Sequence, residues 1–204
     1  MPEILSKSER TRQFIIEKTA PIFNAKGYAG TSMSDLTEAT GLTKGSIYGN
    51  FENKDEVALA AFDYNFGRIT DYMKERIKAS DNAIDRLLTY PNVYRNFLKI
   101  PFLKTGCPLL NTAAEADDTH PQLKKKAAAA LTFWRTSLEN QVKRGIARNE
   151  IKSGTDPYQF AVILMSLLEG AVLQAKVTGK SAELQVAMDF LADLIRNLKT
   201  TGDN

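Results

Sequence analysis

Residues 31–54 read TSMSDLTEATGLTKGSIYGNFENK. The stretch divides into two short helical segments about a tight turn. Ser32 stands where a helix N-cap belongs, and Asp35 follows three residues on, where a carboxylate favours the free N–H groups of a first turn. Leu36, Ala39 and Leu42 supply apolar contacts, and Gly41 sits where a helix C-terminus calls for a left-handed residue. Thr43 caps a second segment, Lys44 to Asn50. Between Gly41 and Asn50 there is one cation and no acid, and the small and hydroxyl side chains let such a helix approach a groove wall closely. Helix, four-residue turn, helix is the geometry that carries a recognition helix into the major groove of duplex DNA.

Outward from this stretch the pattern stays helical. Ser6 and Glu9 have capping-box spacing, and the predicted first helix runs from about Lys7 to Lys26 with Phe14, Ile15, Ile22 and Phe23 as its apolar stripe. Pro21 interrupts it and predicts a kink. Asn53, with Glu56 three residues on, opens a long helix from Lys54 to about Ala79. Further helices are expected after Asp81 (bent or broken at Pro91), from Pro108, from Pro121 to about Asn149, from Pro157 to Thr178, and from a Ser181 cap to about Lys199, with Thr200 to Asn204 a frayed tail. No strand alternation or internal repeat is present. The expected fold is all-α with about nine helices: a head over residues 1–54 and a larger helical body over 55–204.

Bulk properties narrow the function. The chain has 204 residues, 43% hydrophobic and 25% charged, a soluble globular composition. One cysteine, Cys107, and one histidine, His120, exclude a disulfide framework and Cys- or His-rich metal sites. The N-terminus shows no secretory apolar region, and Ala161–Val177 is interrupted by Glu169, Gln174 and Lys176, so the reading is cytoplasmic with no membrane partner. No phosphate-binding Gly-rich loop or nucleophile–His arrangement is visible, so neither an enzyme nor a cofactor is expected. The net charge of +3 argues little for nucleic acid, since residues 1–54 hold seven Lys/Arg against six Asp/Glu. Placement matters more. Lys7, Arg10 and Arg12 cluster at one end, Lys44 lies on the recognition helix and Lys54 begins the next.

The run Gly27-Tyr28, Thr31-Ser32, Leu36, Gly41-Leu42, Gly45, Ile47-Tyr48, Phe51 and Lys54 resembles the TetR family of transcriptional regulators, with the likeness strongest over about residues 8–68. The resemblance implies a homodimer whose three-helix head binds double-stranded operator DNA. Its body would hold a small-molecule effector and the dimer interface. Lys44 is the long cation able to donate to guanine or phosphate; Thr43 and Ser46 offer hydroxyls, and Gly45 gives close approach. Tyr48 faces the DNA backbone in the family pattern, and Lys54 joins the N-terminal N–H groups of its helix at a phosphate. Ser32, Met33 and Ser34 align with positions that touch backbone or base. Gly49-Asn50 departs from the aromatic–histidine pair of many relatives. Asn50 can still donate to phosphate or read adenine, while Gly49 costs about 1 kcal/mol of helix propensity. A helical binding module without DNA affinity is the alternative that this departure keeps open.

In the body, Tyr90, Phe97, Phe102, Cys107, Phe133, Trp134 and Met165 are the candidate effector-pocket residues. Cys107 precedes a helix start, which suits either a reactive thiol or a small buried hydrophobe. The last two helices are the candidate dimer interface, through Phe160, Leu164, Leu167, Leu168 and Ala171 on one and Leu184, Met188, Leu191 and Ile195 on the other.

Overall fold

The computed structural model describes residues 6–200. Among them lie nine α-helices: α1 (Lys7–Lys26), α2 (Met33–Thr40), α3 (Lys44–Tyr48), α4 (Lys54–Lys78), α5 (Ala83–Tyr94), α6 (Pro108–Ala116), α7 (Pro121–Ala147), α8 (Pro157–Thr178) and α9 (Ala182–Arg196), with a 3-10 turn at Phe97–Lys99. The remaining regular pairing among these residues is an isolated antiparallel bridge between Ile151 and Lys199. The fold is therefore all-α. Of the expected tail, residues 201–204 lie outside the described residues.

The helix ends follow the capping chemistry of the sequence. Ser6 and Glu9 form a reciprocal capping box on α1, and Ser32 and Asp35 form another on α2. Asn53 Oδ1 accepts the Glu56 N–H at 2.9 Å at the start of α4. Asp156 accepts from Tyr158 and Gln159 at the start of α8. Gly41 closes α2 in the left-handed conformation, φ 68°. Ser181 differs from expectation, for it precedes α9 without a side-chain cap bond. Both interior prolines are accommodated, with α1 continuing through Pro21 and α5 through Pro91.

The backbone packs as two compact units, one of Met1–Arg68 with Pro108–Ala128 and the other of Ile69–Cys107 with Ala129–Asn204. These units do not follow a break at residues 54/55. The first part of α4 belongs with the head, and so do α6 and the start of α7. The core of this first unit joins Ile15, Ala20 and Phe23 of α1 to Leu36 of α2, Ile47 of α3, Phe51, and Val57, Ala58 and Ala61 of α4. Phe14, expected in that stripe, is instead exposed.

In the second unit α8 packs on α9, and α5 packs on both. Helix α8 is long and apolar enough by length and composition to cross a membrane, with a mean hydropathy of 1.7 over its 18-residue window. Its buried face (Phe160, Ala161, Leu164, Leu168, Ala171, Val172 and Ala175) identifies it as a core helix. Each large side chain so buried contributes roughly 1.5–3 kcal/mol.

Candidate nucleic-acid interface

Helix α3 is short, and its placement rests on one side chain. Ile47 is fully buried among α1, α2 and α4 residues, whereas Thr43, Lys44, Gly45, Ser46 and Tyr48 are exposed. One anchor thus fixes the helix rotation and turns the opposite face outward. Thr43 Oγ1 caps the helix by accepting the Ser46 N–H at 3.1 Å. Lys44 Nζ stands 5.7 Å from the Tyr48 ring centroid, a cation–π pairing of two outward groups. A Cβ at Gly45 would meet only Thr43 Oγ1, at 3.9 Å, so the missing side chain opens the outer surface and is not needed for packing. At the start of α2, Ser32 and Ser34 are exposed while Met33 is half-buried against the head core.

The structure corrects three assignments at the far end of α3. The helix stops at Tyr48, and Gly49 is its C-cap at φ −74°, so no interior-glycine cost arises. Asn50 is held internally, its Nδ2 donating to Ser46 O at 2.9 Å and its Oδ1 accepting from Ser8 Oγ at 3.3 Å. Its amide is therefore a brace, not a free base reader. Lys54 also turns inward, donating to the Thr31 carbonyl at 2.7 Å with its ammonium 4.2 Å from the Tyr28 ring centroid.

Arg12 is likewise a brace. Its guanidinium donates to the Asn50 carbonyl at 2.6 Å and to Glu56 Oε1 at 2.5 Å, and lies 4.0 Å from the Phe51 ring centroid. The Glu52 N–H and Arg12 together hold the Glu56 carboxyl below its usual range. Asp35 is lowered further, by the Lys26 ammonium and then by the Ser32 backbone and hydroxyl. Tyr28 moves the other way, pushed up to about 12 because its hydroxyl donates to Asp55. Sequence reasoning missed Arg12, Tyr28 and Asp55 as braces, since nothing in their spacing tells an inward polar group from an outward one.

In the body, Tyr90, Phe97 and Cys107 are buried; Phe102, Trp134 and Met165 are half-buried. Phe133 is 55% exposed, unlike the rest of that set, which fits a surface position better than a pocket lining. Tyr94, missed earlier, stacks with Phe97 at 4.7 Å and with Trp134 at 6.4 Å between centroids. Tyr90 Oη accepts from Gln141 Nε2 at 3.2 Å. Cys107 Sγ donates to Glu169 Oε1 at 3.1 Å, and burial pushes the Glu169 carboxyl up to about 7. The sulfur is almost wholly buried, so the packing role fits Cys107 better than the reactive one. Glu169 was legible as an acid interrupting an apolar run.

The expected interface residues Phe160, Leu164, Leu168, Ala171, Leu184, Met188, Leu191 and Ile195 are buried inside the protomer, and Leu167 is half-buried. The eight buried side chains are spent on the protomer core, which leaves Leu167 the one expected residue with accessible surface. The outward apolar residues of the same helices include Tyr158, Val162, Ile163, Leu173 and Val177 on α8 and Val186 and Phe190 on α9.

A buried-anchor α3 on a three-helix scaffold, in a chain whose second unit is also all-helical, defines a helix-turn-helix DNA-reading protein. Residues 15–61 match the family model of bacterial regulatory proteins, tetR family, and residues 83–191 match the tetracyclin repressor-like C-terminal domain. A TetR-family regulator from Cytophaga hutchinsonii is 46% identical with a TM-score of 0.90, covering 98% of this chain and 100% of that one. Another, from Chloroflexus aurantiacus J-10-FL, is 36% identical at a TM-score of 0.90, covering 96% and 98%. The transcriptional repressor NemR of Escherichia coli K12 is 24% identical over 190 residues, 91% of this chain and 94% of that protein. The chain belongs to the TetR family of transcriptional regulators.

Proposed function

We propose that this regulator is a homodimeric repressor that reads operator DNA with the outer face of α3 and leaves it when a small effector occupies the body. The observation that supports it best is the division of α3 by burial: Ile47 is 0% exposed, while Lys44, Ser46 and Tyr48 face outward. Lys44 supplies the base or phosphate donor. Tyr48 and the Thr43 and Ser46 hydroxyls supply backbone contacts, with Ser32 and Ser34 at the second edge. Lys44 is the single cation of α3, so hydroxyl and phenol donors carry much of that helix's recognition.

Duplex readers of this kind need two half-sites about 34–36 Å apart, hence two copies. The exposed stripe of Ile163, Leu173 and Val177 on α8, with Val186 and Phe190 on α9, is the self-complementary face. Ser166 and Gly170 lie in the α8 stripe and let the two backbones approach. Tyr90, Phe97, Trp134 and Met165, with Tyr94, are the aromatic and soft groups around which an effector would bind. The effector acts by population shift, preferring the conformation that does not fit the operator.

Selection of duplexes from a random pool, followed by gel shifts with Lys44→Ala, tests the reading. Enrichment of a palindromic site, with weaker and less selective binding by the variant, is expected. Failure to enrich any duplex at low salt leaves the alternative of a helical module without DNA affinity.

A further inference from the structure

Glu115 of α6 reaches a turn 87 residues earlier in the chain, accepting the Tyr28 N–H on Oε2 at 2.7 Å and the Ala29 N–H on Oε1 at 2.8 Å. Both donors follow Gly27, past the hydrogen-bond ladder of α1. The fit is close. Gly27 has φ 72°, and a Cβ there would lie 2.2 Å from Glu115 Oε2, so the carboxylate reaches the backbone only because residue 27 has no side chain. A second tie lies one turn earlier on α6, where Asn111 Nδ2 donates to Asn24 Oδ1 at 2.9 Å and to its carbonyl at 3.1 Å.

The turn held this way is the root of α2. Thr31 Oγ1 donates to the Gly27 carbonyl at 2.6 Å, and Lys54 Nζ donates to the Thr31 carbonyl at 2.7 Å. Ser32 then caps α2, whose exposed N-terminus is one edge of the proposed DNA surface. The void bordered by Tyr28, Thr112 and Glu115 measures about 20 Å³, room for one water and not for an effector. Glu115 therefore acts on the turn and not on a ligand.

We infer that Glu115 is a positioning residue of the DNA-reading head: its carboxylate fixes the Gly27–Thr31 turn at the root of α2, and operator affinity depends on that hold. This rests on the operator-binding reading above. Loss of the carboxylate would release the turn without any change in the residues that touch DNA.

The test combines amide exchange at Tyr28 and Ala29 with titration of a selected operator across a salt series. Glu115→Ala removes both acceptors; Glu115→Gln keeps the length and one carbonyl oxygen but sets an NH₂ against one amide. Both amides are expected to exchange at least about tenfold faster in Glu115→Ala, and the operator dissociation constant to rise about tenfold, with a smaller rise in Glu115→Gln. The salt slope should stay that of the wild type, because Glu115 touches no phosphate. Deprotected amides with operator affinity within about twofold of wild type would overturn the inference, and so would unchanged exchange. If Glu115→Ala fails to fold, Glu115→Gln carries the same comparison. A wild type that selects no duplex defeats the operator reading instead, while the exchange measurement still decides whether Glu115 holds the turn.

Discussion

Both compact units combine an apolar core with polar side chains on distant backbone groups, but the first sets those ties around its reading helices. In the first, polar side chains seize backbone groups across long sequence separations: Arg12 on Asn50, Lys54 on Thr31, Asn65 on Ala20, Glu115 on Tyr28 and Ala29. In the second, α5, α8 and α9 meet through apolar faces, with Tyr94, Phe97 and Trp134 stacked nearby, while Glu150 accepts the Ala83 N–H and Gln185 donates to the Arg95 carbonyl away from any reading surface. The contrast matches the proposed tasks. A head that reads grooves needs a few atoms placed to tenths of an ångström, which directional bonds to backbone provide. A body that dimerises and changes shape around an effector is better served by non-directional packing.

Substitutions can break this contrast, beginning with the body. Leu168→Ala, at a fully buried α8 position, should cost about 2–5 kcal/mol of unfolding free energy, read from denaturant midpoints. A loss under about 1 kcal/mol would show that apolar packing does not dominate there.

Glu169→Gln is the next in size, and its sign depends on pH. The folded carboxyl titrates near 7, above its unfolded value, so the native state binds the extra proton and loses stability as pH rises from about 4.5 through 7. The variant should gain on the wild type across that window by up to about 3 kcal/mol, then run parallel above it. A pH-independent difference would contradict the buried-carboxyl assignment.

In the head, Arg12→Ala should cost about 1–2 kcal/mol, since the group is part-exposed, and should loosen the end of α3 selectively. Amide exchange at Asn50 and Phe51 reads that. Uniform loosening across the head would mean that Arg12 acts through general stability instead. The finest contrast sets Lys44 against Lys54. Lys44→Ala should weaken operator binding about tenfold and reduce the salt slope by about one. Lys54→Ala should leave the slope alone, because its ammonium already has the Thr31 carbonyl.

Much of the fold was legible because helix ends are written in local chemistry. Ser6-Glu9, Ser32-Asp35, Asn53-Glu56 and Asp156-Pro157 each satisfy N–H groups within three or four residues, and Gly41 closes its helix alone. Direction across longer distances was not legible. Helix α8 is apolar over most of its surface, so its composition could not separate the buried Leu164 and Leu168 from the outward Ile163 and Leu173. Long polar side chains posed the same problem, as Arg12 and Lys54 have the charge of DNA contacts and the geometry of braces. The polar ties of α6 to the α1 end run through Glu115 and Asn111, which carry no sequence mark of a partner 87 residues away.

The central claim is that the outward face of α3 meets duplex DNA while its buried face holds the helix in place. Fluorescence anisotropy of a selected duplex against wild type and the double variant Lys44→Ala/Tyr48→Ala, at low ionic strength, addresses it directly. The wild type should bind and the double variant should lose at least about a hundredfold in affinity, with its melting temperature unchanged. Equal binding by the two proteins would show that DNA, if bound at all, sits elsewhere.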